Sequence, residues 1–332
     1  MVVRKQMTAR FLRRDVLRLA AAGAALPLLA RRALAQAYPS QPVRMVVGFP
    51  AGQAADSIGR IVAQVLSQKL GGQFIVENRP GAGGNIGAEA VVRAAPDGAT
   101  LLMEVMTANA INATLYPHLK FNFIRDVAPV ALVGGGAYVM TVTPSFAAKT
   151  PAEFIAYAKA NPGKVNMGSA GIGTPPHVFG EMFKIMTGID IVHIPYSGSY
   201  VPDLLSGQVQ VVFAPIPTVV AQIRSGRLRA LAVTTAQPWP ALPGVPGMAE
   251  FVPGYDASGY FGIGAPKATP AALVDQLNKA INEGVAAADA KGKLENLGLE
   301  PQAMTPADYG KLIAAETDKW AKVVTASGMK AE

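Results

Sequence analysis

Cysteine is missing from all 332 residues. Its absence removes disulfide frameworks, thiol nucleophiles, iron–sulfur clusters and cysteine-ligated zinc from consideration. Histidine is nearly as scarce: the three stand apart at 118, 177 and 193 with no HExxH spacing, so no metal and no cofactor is expected. Charge is thin at 16% of residues while half of the chain is apolar, a balance that supports large buried cores rather than disorder. Repeats of 20–50 residues and low-complexity tracts are lacking too. The length suggests two domains.

An excess of acidic residues is also lacking, and the formal charge is +8. Most of it is concentrated at one end. Arg4, Lys5, Arg10, Arg13, Arg14, Arg18, Arg31 and Arg32 precede position 36 against a single acid, Asp15. Without them, 22 basic residues face 21 acidic ones. No basic run interleaved with aromatics remains, so no nucleic-acid partner is expected.

Residues 1–35 read as a cleaved export signal. A basic stretch containing Arg13-Arg14 precedes an apolar core over residues 19–30, and Ala33-Leu34-Ala35 supplies a small-x-small cleavage site. That core falls short of the roughly 20 residues a membrane-spanning helix needs. The paired arginines resemble a twin-arginine (Tat) signal, and Arg31 and Arg32 fit such leaders; the general secretion route is the alternative. Either route puts the mature chain, beginning near Gln36, in a bacterial periplasm.

Beyond the leader, short apolar runs alternate with helical spacing. Strand patterns at 43–49, 74–77 and 100–105 flank a helix at 56–70, built on Ile58, Ile61, Val62, Val65 and Leu66, and another around Ile86, Ala90 and Val91. After an extended run at 137–143 the alternation restarts: helix 151–160, strand 165–168, helix 178–186, strand 189–194, helix 200–206, strand 209–213, helix 219–225 and strand 228–234. Thr150 and Pro151 open the first of these helices as cap and first residue. A proline-rich loop at 238–246 leads to an extended run at 260–265 and to helices at 270–288 and 306–326. Strand–helix alternation of this kind indicates two α/β units with mainly parallel sheets. The runs at 137–143 and 258–265 are candidates for strands crossing between them.

Two glycine-rich turns stand out. Gly81-Ala82-Gly83-Gly84-Asn85-Ile86-Gly87 is no dinucleotide fingerprint, because Ile86 stands where GxGxxG needs glycine. Gly168-Ser169-Ala170-Gly171-Ile172-Gly173-Thr174-Pro175-Pro176-His177 is no nucleophile elbow, because Met167 stands where GxSxG needs glycine. Each turn opens a helix and exposes backbone N–H groups suited to an anion. His177 reads as a helix-surface or packing residue, and no base is expected against Ser169.

Those turns, together with Phe49-Pro50-Ala51-Gly52…Asp56, Glu77-Asn78-Arg79-Pro80, Pro96-Asp97-Gly98, Ile194-Pro195-Tyr196-Ser197-Gly198, residues 203–209 and Gly262-Ile263-Gly264-Ala265-Pro266, resemble the tripartite tricarboxylate transporter receptors, the Bug/TctC-type solute-binding proteins. The resemblance runs in order along the whole mature chain. It implies an α/β, two-lobed periplasmic binding protein of the Venus-flytrap kind, with a mainly parallel sheet in each lobe and two crossing hinge strands. Lobe 1 would comprise residues 36–137 with 265–332, and lobe 2 residues 138–264.

By the same resemblance the protein is not an enzyme. It would be a monomer that captures a small carboxylate and hands it to the large and small membrane subunits of the transporter. A secreted α/β hydrolase and a sensor-linked receptor of the same fold are the alternatives. The implied ligand contacts are Phe49, Ala51 and Gln53, with Ser169, Gly171, Gly173 and Thr174 opposite, and Thr107, Asn109, Tyr196 and Ser197 completing the walls. The chain departs from the family pattern at Ala51, Gln53, Ser197, Ala214 and Tyr260, positions that bear on which acid it takes.

Overall fold

Residues 38–331 apart from Ser197 are described by the computed structural model, and from Gln41 onward they form one unit. The leader, its cleavage point at Ala35 and Ser197 lie outside the described residues.

β1 (Val43–Val47) leads into α1 (Ala54–Leu70), whose buried Ile58, Val62, Val65 and Leu66 form the stripe their spacing predicts. Gly71, at φ +65°, ends that helix. β2 (Phe74–Asn78), a glycine turn, α2 (Asn85–Val92) and β3 (Thr100–Val105) complete a parallel β2-β1-β3 set. α3 (Met106–Leu115) and a single turn, α4 (Phe123–Asp126), precede the long β4 (Val127–Val142).

The alternation then restarts as expected. α5 (Pro151–Ala160) is capped by Thr150, whose side chain accepts from the Glu153 N–H at 3.1 Å. β5 (Asn166–Ser169), α6 (Pro175–Thr187), β6 (Val192–Pro195), α7 (Val201–Ser206), β7 (Val211–Pro215), α8 (Ile216–Arg224) and β8 (Arg229–Val233) follow. Last come β9 (Ser258–Pro266), α9 (Ala271–Val285), α10 (Ala288–Asn296), β10 (Leu299–Pro301) and α11 (Pro306–Ser327).

The strands form one sheet in the order β2-β1-β3-β9-β4-β7-β5-β6, with β8 and β10 also on β4. Pairing is parallel among β1, β2 and β3 and among β5, β6 and β7, but antiparallel wherever β4 or β9 takes part. The sheet is therefore mixed, with parallel wings. β4 changes partners along its length: residues 127–137 pair with β9, and residues 138–142 with β7 and β8.

The expected extended run at 137–143 proves to be only the second half of β4. Pro129 and Gly134-Gly135-Gly136 hide the first half, since neither residue type favours strands. The glycines are needed for packing: a Cβ at Gly134 would lie 2.4 Å from the Glu300 carbonyl oxygen of β10.

α11 runs past the middle of the sheet, from beneath β9 to α6. Tyr309 lies under β9, where a Cβ on Gly262 would come 2.0 Å from its hydroxyl. Trp320 and Val324 instead enter the large core with Phe154, Phe183 and Tyr255, and Trp320 stacks on Phe179 of α6 at 5.1 Å.

Candidate ligand cavity

A cavity of about 1140 Å3 opens where the carboxyl ends of the parallel strands meet. One wall is the loop after β1 (Gly48, Phe49, Pro50, Gly52, Gln53), the start of α1 and the turn 80–84. Facing it are Ala170, Gly171, Ile172 and Thr174 after β5, then Pro175 and Pro176, residues 198–200, and Pro215, Pro217 and Thr218. Val105, Tyr138 and Phe261 lie at the junction, close to where β4 changes partners. No described residue lining the cavity carries a charge. An anion here would be met by dipoles and N–H groups.

The first wall is braced from behind by Asp56. Its Oδ2 accepts the Gly52 N–H at 2.9 Å, Arg60 donates to both oxygens at 3.0 Å, and Asn78 ties Oδ1 to the Phe49 carbonyl by donating to each at 3.0 Å. Burial pushes the Asp56 pKa up, but these donors outweigh it and hold the carboxyl below its usual range. In front of this brace, the helix start is bare. Gln53 makes no side-chain cap, and the N–H groups of Ala54 and Ala55, both on the cavity, have no acceptor among the described residues.

The second wall is built differently. Pro175 and Pro176 have no N–H, and those of His177 and Val178 go to the Thr174 carbonyl at 3.0 and 3.1 Å. The loop also spends its own donors internally. Gly171 N–H meets Ser169 Oγ at 3.1 Å, Gly173 N–H meets His177 Nδ1 at 3.2 Å, and Thr174 N–H meets the Gly171 carbonyl at 3.3 Å. That leaves the N–H groups of Ala170 and Ile172 with no acceptor among the described residues. The amides expected at the start of α6 are therefore missing, because two prolines and internal bonds consume the supply, and the bare helix start lies instead at α1, which neither glycine-rich turn opens.

Of the eleven expected contacts, Phe49, Gln53, Gly171 and Thr174 line the cavity. Ala51 is exposed beside it. Ser169 is fully buried, so it does not face the cavity as expected; its hydroxyl lies 2.6 Å from His193 Nε2. The absence of a base against Ser169 is thus corrected, although a serine with no exposed surface cannot reach a substrate. Thr107 is buried in α3, where its hydroxyl donates to the Ser258 carbonyl and accepts the Tyr260 N–H. Asn109 is buried on the same helix, and Gly173 sits against Leu115, whose Cδ2 a Cβ would approach to 2.2 Å. Tyr196 stands beside the wall and donates its hydroxyl to Asp203 Oδ2 at 2.6 Å. Thr174 occupies the cap position without a capping bond, its hydroxyl donating to the Gly171 carbonyl at 2.7 Å.

Sequence reading missed Ser57, Tyr200 and Thr218 on the walls and the bracing role of Asp56. Asp56 carried a signal, an acid in the first turn of a strongly patterned helix. The others carried none.

The sequence model for "Tripartite tricarboxylate transporter family receptor" matches residues 58–329. Protein BugT of Bordetella pertussis is 36% identical over 316 residues, covering 94% of this chain and 95% of its own length. Among solved structures, R. palustris Rpa4515 with adipate superposes with a TM-score of 0.82 at 33% identity, covering 88% of this chain and 99% of that one. MatC from Rhodopseudomonas palustris with bound malate gives 0.79 at 28% identity, covering 86% and 100%.

Proposed function

The chain belongs to the tripartite tricarboxylate transporter receptor family, and from that premise we propose that its cavity captures a small organic acid between two lobes for delivery to a membrane transporter. The observation that carries the reading is the bare start of α1: Ala54 and Ala55 line a cavity whose described residues carry no charge, and their N–H groups have no acceptor among the described residues, the arrangement that favours a carboxylate. Two neighbours of the same fold hold adipate and malate.

The lobes in this reading are residues 36–137 with 265–332 and residues 138–264, which agrees with β4 changing partners at 137/138. The C-terminal half of α11 then rests on the second lobe and serves as a third connection beside β4 and β9. The receptor works in the periplasm as a monomer without turning its ligand over, after removal of residues 1–35 by the Tat or the general route. Its partners are the large and small membrane subunits.

A thermal-shift screen of the purified protein against malate, adipate, citrate and benzoate tests this. A ligand at 100 times its Kd adds about 2.7 kcal/mol to stability, so at least one acid raises Tm. Failure of every carboxylate at millimolar concentration, or turnover of one, would contradict the reading.

A further inference from the structure

Behind the second wall two imidazoles stack, 3.6 Å between centroids and 10° from parallel. His177 belongs to the first turn of α6 and is buried, and His193 comes from β6. Each reaches the ligand loop. His177 Nδ1 accepts the Gly173 N–H at 3.2 Å, which places its own proton on Nε2, toward Glu181 Oε1 at 3.8 Å. His193 Nε2 lies 2.6 Å from Ser169 Oγ, and that oxygen lies 3.1 Å from both the N–H and the carbonyl of Gly171.

We propose that His177 and His193 are positioning residues that hold the loop at 170–174 in its ligand-ready shape and so decide which of its amides face the cavity. Gly171 and Gly173 lie at φ +116° and +75°, a conformation glycine adopts but does not enforce, so the shape needs outside support. The hydrogen bonds to Ser169 and His177 turn the Gly171 and Gly173 amides inward and leave those of Ala170 and Ile172 to the ligand. A protonated His177 could not accept the Gly173 N–H. Burial, the neighbouring imidazole and Lys184 keep its pKa down at about 3, while burial and Lys184 hold that of His193 at about 4. The consequence for affinity, though not the brace itself, rests on the receptor reading.

Three proteins test it: wild type, His177→Ala, and His177→Asn, whose Oδ1 replaces Nδ1 as acceptor. In the ligand-free state, amide exchange at Gly173 is slow in wild type and His177→Asn, and about tenfold faster in His177→Ala, the scale of one lost hydrogen bond. Calorimetry with malate, adipate, citrate and benzoate then follows whichever acid wild type binds. Affinity falls about tenfold in His177→Ala and returns to within about threefold in His177→Asn, although both lose the stacked ring and melt lower. If wild type binds none of these acids, the receptor reading fails, while the exchange result still decides the brace. Unchanged exchange in His177→Ala, or exchange as fast in His177→Asn, overturns the proposal.

Discussion

Glu104 is fully buried on β3 and accepts the Tyr309 hydroxyl at 2.6 Å. Burial raises its pKa from 4.5 to about 7, against the lowering effect of that hydrogen bond and of the nearby Asn109 amide. The unfolded chain releases this proton near 4.5, so between the two values the folded state holds more protons and stability falls as pH rises. The loss is complete above about pH 7 and amounts to roughly 3 kcal/mol. Urea unfolding at pH 5 and pH 8 should show wild type losing that much relative to Glu104→Gln; parallel curves would mean the carboxyl is not buried as described. Asp56 works with the opposite sign. Its lowered pKa gives stability above the unfolded value that disappears as pH falls through the folded one. Asp56→Ala frees the Gly52 N–H and leaves Arg60 unpaired, so acid binding should weaken about tenfold, as for one lost charge-assisted bond. Calorimetry on a variant still shown folded by circular dichroism checks this.

At the scale of elements, what could be read depended on how locally each element is determined. β3 and α5 were legible to the residue: a strand bounded by a turn, and a helix carrying its own cap and first-turn proline. α3 was not, since it follows β3 directly and Val105 at its cap position makes no capping bond. The first half of β4 was hidden because its glycines are explained by distant partners, Gly134 by β10 about 165 residues further on and Gly135 by Tyr260 of β9. The site divides the same way. Phe49, Gln53, Gly171 and Thr174 follow parallel strands whose ends were visible, whereas the pairing of Ser169 with His193 depends on the register of β5 against β6. Gly134→Ala tests the hidden contact. A Cβ 2.4 Å from a backbone oxygen must push β10 away, costing about 1–3 kcal/mol and speeding amide exchange at Leu299 and Glu300. An unchanged denaturation midpoint would show that β10 does not determine those glycines.

For the whole molecule, the receptor reading requires movement. Two lobes linked by β4, β9 and α11 should close on a bound acid and exclude water from the cavity. Because Trp320 anchors α11 in the large core while Tyr309 anchors it beneath β9, closure should be a limited rotation with both contacts kept. Small-angle scattering should therefore give a slightly smaller radius of gyration at saturating acid. An identical profile would mean that the cavity is preformed.

The central claim is that backbone N–H groups at the start of α1, rather than charged side chains, hold the carboxylate. Ala54→Pro addresses it with little disturbance. Proline is favoured at the first position of a helix, the preceding Gln53 already has extended dihedrals (φ −81°, ψ 168°), and the substitution removes one cavity-facing N–H. Calorimetric titration of wild type and Ala54→Pro with the acid found by the thermal screen is the deciding measurement. The account predicts an unchanged apo Tm and an affinity weakened by about 1.5–3 kcal/mol, roughly 10- to 150-fold, the scale of a hydrogen bond to a charged group. Affinity within twofold of wild type, with the same Tm, would contradict it.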